Sequence, residues 1–310
     1  MPSIPERRKL RHSLQHARTA AELELKLEEH GVILDVCLRQ RGVDPGVHGV
    51  LFAGSISERI ATSTSDIDVL VLVETVIPDL QPVDTAIRMS PSSEILVYEN
   101  GIELNIEILR RDALAESLTA FLDIARALYD SNGLPVLPII TSEQLRLLHR
   151  LQSGWAIRRE DVVSRWRDEF LVVVLPPYVA LLALISFNEN LEHARAVADS
   201  DDGSLPAAAR DCAADALRCM LALNGVANPK ARWLPRLAAR TLQGQAREVM
   251  RQLAEVTSLL SSPSRQQRTA AMAALADVGD RIELQLMSDP NLRTAWSLVR
   301  EQIHYVNWAE

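Results

Sequence analysis

Apolar and polar positions follow two different periods along this chain, and the change of period divides it. Thr19 followed by Glu22 forms a capping-box pattern ahead of AAELELKLEEHGVILDVCLRQ, whose apolar residues recur at helical spacing. From Asp44 the texture changes. Residues 47–53 (VHGVLFA) form a short apolar run ending at Gly54-Ser55, as a buried strand would, and the polar loop ISERIATSTS follows. Asp66 to Val73 (DIDVLVLV) is rich in β-branched residues and predicts a second strand. Residues 78–91, with Pro78, Pro82 and Pro91, read as a loop-like connection. Glu94 to Tyr98 and Ile102 to Leu109 flank Asn100-Gly101, a strong hairpin signal because both turn positions require positive φ. In the second arm Ile102, Leu104, Ile106 and Ile108 alternate with Glu103, Asn105 and Glu107. One face is therefore greasy, and the other, predicted open, carries two carboxylates and an amide.

Beyond Arg111 the pattern predicts no further strand. Helical periodicity covers 113–129, 142–152, 160–175, 179–198, 207–223, 235–260, 265–287 and 291–308, with breaks at Asn132-Gly133, Asp201-Asp202-Gly203, Asn228-Pro229 and Asp289-Pro290. The fold class expected is α+β: a strand-bearing domain over 1–135 and an all-helical domain over 136–310, both of ordinary domain size. Phe170 to Phe187 is uncharged for 18 residues, about the minimum to cross a bilayer. Pro176 and Pro177 interrupt it, and Arg165, Arg167, Asp168 and Glu169 press on its start, so two short buried helices are predicted rather than a membrane span.

Composition narrows the function classes. The chain has 310 residues, 47% hydrophobic and 24% charged, enough for a sizeable core and incompatible with a fibrous or disordered protein. Its formal charge of −8 argues against a protein built to hold long nucleic acid, and 4% aromatic content argues against stacking of unpaired bases. Lysine occurs only at Lys9, Lys26 and Lys230, every other basic residue being arginine, a skew expected of an arginine-favouring genome that leaves Lys230 isolated. Cys37, Cys212 and Cys219 show neither metal-ligand spacing nor a disulfide framework. Together with a basic N-terminus that lacks a signal-peptide core, they point to a cytoplasmic location with no membrane partner. None of the seven histidines shows ligand spacing.

The chemistry concentrates at Gly54-Ser55, ten intervening residues, then Asp66-Ile67-Asp68. In a strand, residues two apart project the same way, so Asp66 and Asp68 place two carboxylates side by side. Such a pair repels unless a cation lies between, and a hard divalent ion such as Mg²⁺ suits an all-oxygen site. A third carboxylate, Glu107 or Glu103, would complete a site for two metals, the arrangement that serves in-line displacement at phosphorus. Gly54 permits close backbone approach to a triphosphate, and Ser55 adds a hydroxyl and an amide donor.

GVLFAGSISERIATSTSDIDVLVLV resembles the signature of the DNA polymerase β-like nucleotidyltransferase superfamily: hydrophobic-Gly-Ser, a gap of about ten, then Asp-hydrophobic-Asp-hydrophobic. The resemblance implies a mixed β-sheet with flanking helices and transfer of a nucleoside monophosphate from a nucleoside triphosphate with release of pyrophosphate. By position Asp66 and Asp68 match the paired metal-binding aspartates, Gly54 and Ser55 the triphosphate-holding pair, and Ser65 a serine often found before the first aspartate. Glu107 is preferred to Glu103 as the third acid, because the family's third acid is usually centred in its strand. Arg59 stands where many relatives have glycine, and would contact phosphate or mark a different loop path.

LRCMLALNGVANPKARWLPRLAA resembles a segment in the helical domains of small-molecule nucleotidyltransferases, antibiotic-modifying ones among them, which are often HEPN-like bundles closing over the nucleotide. There Lys230 would face triphosphate or substrate, whereas Trp233 is expected in the core. Arg158, Arg159, Arg165 and Arg167 form a basic cluster, a candidate phosphate contact or a solvated face, and Asp168 or Glu169 is a weak candidate general base. The expected activity is transfer of a nucleotide, AMP from ATP favoured, to a hydroxyl of a small-molecule acceptor with two Mg²⁺ ions. The alternatives are a protein-directed nucleotidyltransferase and a non-catalytic, regulatory or antitoxin-like nucleotide-binding module.

Overall fold

The computed structural model describes residues 13–62, 65–74, 92–130, 140–198, 204–228, 230–260, 264–290 and 292–297. The chain forms two compact units, one comprising Met1–Leu122 and Ile140–Val173 and the other Asp123–Ile139 and Val174–Glu310. The expected division at residue 135 therefore shifts: the chain leaves the first unit, returns to it near residue 140, and leaves again after Val173.

The first unit is built on a five-stranded mixed sheet with order β3-β4-β2-β1-β5. Its strands are β1 (Gly49–Ala53), β2 (Ile67–Val73), β3 (Ser92–Glu99), β4 (Ile102–Arg110) and β5 (Trp155–Arg158). β2 and β4 run parallel, and the other neighbours are antiparallel. Asn100 and Gly101, at φ 50 and 81, make the hairpin turn between β3 and β4 that their sequence predicts. β5 contradicts the expectation of no strand beyond Arg111. Its four residues are too short for alternation to register, and only pairing with β1 holds them extended.

Alternation sorts the sheet into two faces. Val50, Phe52, Val69, Val71, Ile106 and Ile108 share one core with Leu23 and Leu27 of α1 (Ala20–Glu29) and Leu34 and Leu38 of α2 (Leu34–Arg39). At about 25 cal/mol per Å² of apolar surface, this burial dominates the unit's stability. Thr19 caps α1 as expected, its Oγ1 accepting from the Glu22 amide at 3.2 Å, but the Glu22 carboxylate accepts from the Arg18 amide instead of closing the box on Thr19.

The opposite face carries Ala53, Asp68, Leu70, Asn105 and Glu107. A one-turn helix, α3 (Gly54–Ser57), leaves the end of β1, and α4 (Arg111–Ser117) and α5 (Thr119–Asp130) follow β4. Two further helices pack on this face, α6 (Ser142–Ser153) and α7 (Glu160–Glu169). A complete capping box opens α6: Thr141 accepts from the Gln144 amide while Gln144 accepts from the Thr141 amide.

The second unit is helical: α8 (Leu175–Ala198), α9 (Leu205–Leu223), α10 (Leu234–Thr241), α11 (Gln245–Leu260) and α12 (Arg265–Met287), with 292–297 also helical. The apolar 170–187 stretch does not form two short helices. Leu171, at φ 47, and a 3-10 turn at Val172–Val174 precede one continuous helix, and Pro176 and Pro177 sit in its first turn, where a missing N–H costs no hydrogen bond. That helix is long and apolar enough to cross a membrane by length and composition. Within its unit it is a core helix packed on α9 and α12, with Tyr178, Leu181, Leu184 and Phe187 buried. Cys37, Cys212 and Cys219 are free and buried.

Candidate nucleotide site

Gly54 is the hinge between β1 and α3. Its φ of 72 lies in the left-handed region, and a Cβ built on it would stand 2.0 Å from Asp68 Oδ2. No side chain fits there, because the carboxylate of β2 already lies against the Gly54 backbone. The turn is internally braced: the Gly54 carbonyl accepts from Ser57 Oγ at 3.0 Å and from the Glu58 amide at 3.1 Å, and the Ser55 carbonyl accepts from the Ile60 amide at 2.9 Å. Thus the structure brings Gly54 and Asp68 together.

Arg59 has φ 56, a left-handed conformation that glycine adopts freely. Its guanidinium donates to the Arg18 carbonyl at 3.0 Å. Ser65 also has a structural task, its Oγ accepting from the Thr62 amide at 2.8 Å.

The three expected carboxylates differ in exposure. Asp66 is exposed just before β2, and Asp68 is half-buried. Glu107 lies beside Leu70 in the β2–β4 register, two pairs beyond Asp68↔Asn105, and is fully buried. The expectation of an open acidic face fails at this position. α6 covers it, and Arg146 and Arg150, one turn apart, converge on Glu107.

Arg146 makes a bidentate fork, Nη1 to Oε2 at 2.9 Å and Nη2 to Oε1 at 2.7 Å. Arg150 donates from Nη1 to Glu107 Oε2 and from Nη2 to Asp68 Oδ1, the latter at 2.7 Å. Burial pushes the Glu107 carboxyl up, but hydrogen bonds from Arg146 and the charges of both arginines outweigh it and hold it below the usual glutamate range. Glu103, by contrast, is half-buried at the other end of the same strand face, its position adjoining that of Asp66.

This donor set does not fit two divalent ions. Among the described residues no group of three or more His, Cys, Asp or Glu side chains is disposed to hold a metal. Asp68 and Glu107 already share a guanidinium, and Glu107 carries a second.

α6 touches the Gly-Ser turn as well. His149 Nε2 lies 3.2 Å from Glu58 Oε2, and both residues are buried. Arg146, His149, Arg150 and Glu58 are the site residues that sequence reasoning misses. The available signal is Arg146 and Arg150 at i, i+4, interleaved with Leu147, Leu148 and Leu151 on a capped helix, a position that buries charge unless acids wait opposite.

The remaining basic cluster has structural partners. Arg158 pairs with Glu24 and Asp35, Arg159 with Asp161, and Arg165 with Glu74, while Arg167 donates to the Leu151 and Gly154 carbonyls. Glu169 accepts both of its bonds from Arg111, at 2.8 and 3.1 Å. In the helical unit the Lys230 amide is capped by Asn228 Oδ1 at 2.8 Å, and a nucleotide role for its side chain rests on the resemblance alone. Trp233 is not in the core. It is half-buried, with the guanidiniums of Arg232 and Arg236 over its ring at 5.1 and 5.5 Å.

No family model matches the chain. No curated protein sequence matches it either. Among solved structures, it is similar to a nucleotidyltransferase-like protein from Exiguobacterium sibiricum 255-15, with 12% identity and a TM-score of 0.39 over 87% of this chain and 89% of that one.

Proposed function

We propose that the first unit binds a nucleoside triphosphate at the Gly54-Ser55 turn and transfers its nucleoside monophosphate, AMP from ATP favoured, to a hydroxyl acceptor with release of pyrophosphate. The observation that carries this reading is the packing of the Gly54 backbone against the Asp68 carboxylate. It joins the two halves of the Gly-Ser and Asp-Ile-Asp pattern at one point, although 13 residues separate them. In this reading the turn receives phosphate oxygens through backbone amides and the Ser55 hydroxyl. Asp66, exposed at the mouth of β2, faces the reacting phosphate together with Glu103. A small-molecule acceptor suits the charge of −8 better than long nucleic acid.

A second reading has its own support. Because Arg146 and Arg150 neutralise Glu107 and Arg150 also engages Asp68, the same turn serves a non-catalytic nucleotide-binding module equally well in electrostatic terms. Pyrophosphate release from each of the four ribonucleoside triphosphates, measured with hydroxyl acceptors and with and without Mg²⁺, separates the two. Transfer predicts release that Asp66→Asn abolishes while nucleotide binding persists. Binding without release in the wild type supports the module, and a wild type that neither binds nor turns over any triphosphate overturns both.

A further inference from the structure

We propose that Arg150 is the resident cation of the carboxylate site, and that a divalent ion reaches Asp68 only by displacing its guanidinium. The inference builds on the nucleotide-site reading and assigns that site a regulation: metal and triphosphate enter together or not at all.

The argument begins with charge. Asp68 and Glu107 supply two negative charges and Arg146 and Arg150 two positive ones in hydrogen-bond contact, while Glu143 adds a third, more exposed carboxylate on Arg146. The side chain of Arg150 is 9% exposed and that of Glu107 is 1% exposed, so solvent does little to screen the cluster. A bare divalent ion approaching Asp68 meets a carboxylate already balanced, with a fixed guanidinium beside it. Arginine cannot lose its proton to make room. The ion must therefore break the 2.7 Å Arg150–Asp68 bond and accept a like charge nearby.

Geometry then says what release requires. Asp68 is wedged from two sides, Oδ1 held by Arg150 and Oδ2 pressed against Gly54. Glu107 keeps its bidentate fork from Arg146 when Arg150 departs, so the buried acid is not left bare. Arg150 can thus leave without stripping Glu107 of its last cation, and the incoming ion takes over the charge of Asp68. A departing guanidinium is stable only if it finds another anion, and a triphosphate bound at the adjacent turn supplies pairs of oxygens that its planar fork can engage bidentately. A metal carried by the nucleotide also brings its own compensating negative charge. The two ligands are therefore linked, each raising the affinity of the other by the same factor.

The test titrates Mn²⁺ into the full chain without nucleotide and follows the free ion by electron paramagnetic resonance. Wild type, Arg150→Gln, Arg150→Lys and the double variant Asp68→Asn/Arg150→Gln are compared, with folding checked by circular dichroism. The expected result is millimolar or weaker Mn²⁺ binding by wild type and at least tenfold tighter binding by Arg150→Gln, with the gain lost in the double variant. Arg150→Lys retains the charge but cannot bridge both acids, and is expected to bind several-fold more tightly than wild type. A non-hydrolysable triphosphate is expected to tighten Mn²⁺ binding by wild type far more than by Arg150→Gln.

Micromolar Mn²⁺ binding by nucleotide-free wild type overturns the proposal whatever the variants do. Equal affinities for wild type and a folded Arg150→Gln or Arg150→Lys overturn it as well. Absence of pyrophosphate release alongside a tighter Arg150→Gln refutes transfer and leaves the proposal standing, whereas release with unchanged Mn²⁺ affinities does the reverse.

Discussion

Two ends of one sheet face share a sequence pattern and have opposite fates. At the outer end Asp66 is exposed and Glu103 half-buried, while two to four residues further in Asp68 is pinned and Glu107 is sealed beneath α6. Both pairs obey the same alternation of strand residues, so periodicity alone cannot tell a solvated acid from a buried one. The difference comes from another element, a helix that begins 32 residues after β4 ends and places Arg146 and Arg150 over the inner pair. A buried carboxylate survives because a guanidinium arrives with it, and the outer carboxylates need no such partner.

That contrast can be broken most severely by removing both counter-charges. Arg146→Ala with Arg150→Ala leaves Glu107 buried and unneutralised, and is expected to cost roughly 3–5 kcal/mol in urea unfolding. Asp66→Asn, its exposed counterpart, is expected to move stability by less than about 0.5 kcal/mol. Similar values for the two would show that the inner acid is not sealed.

The next effect in size belongs to the hinge. Gly54→Ala introduces a Cβ 2.0 Å from Asp68 Oδ2 at a backbone φ of 72, and is expected to destabilise by about 1–3 kcal/mol. Adding Asp68→Ala relieves the clash but not the backbone strain, so the double variant should recover only part of the loss. Simple additivity of the two substitutions would deny the contact.

The smallest effect is a matter of pH. Glu107 is held below its ordinary value of 4.5, so it contributes stability that is fully present above that pH and lost as pH falls through the lower folded-state value. The stability gap between wild type and Glu107→Gln should therefore be widest near neutrality and shrink below about pH 4.5. A gap independent of pH would mean that the carboxylate gains nothing from its arginines.

Much of the first unit is legible in the sequence because its signals are local. The Asn100-Gly101 turn, the β-branched run of β2 and the apolar run before Gly54 each carry their own conformational reason. The Gly54–Asp68 contact follows from a motif whose two halves lie on neighbouring strands. What stayed illegible depends on distant partners. β5 is extended only because β1 accepts it, and the role of α6 appears only when Glu107 lies opposite. Pro176 and Pro177 mislead for a related reason. A proline pair reads as a break, yet at the start of a helix it costs nothing, and only the backbone at Leu171 and the following 3-10 turn reveal where α8 begins.

The return of the chain to complete the sheet has a consequence for assembly during synthesis. Until residues 155–158 emerge, β1 presents an unpaired edge next to β2 and its apolar face, a template for pairing with other nascent chains. The same delay leaves Glu107 without either arginine while β4 is already made. A fragment ending at residue 135 would be frozen in that state, with an open edge and an uncompensated interior acid. The first unit itself extends to Val173, beyond the segment that closes the edge.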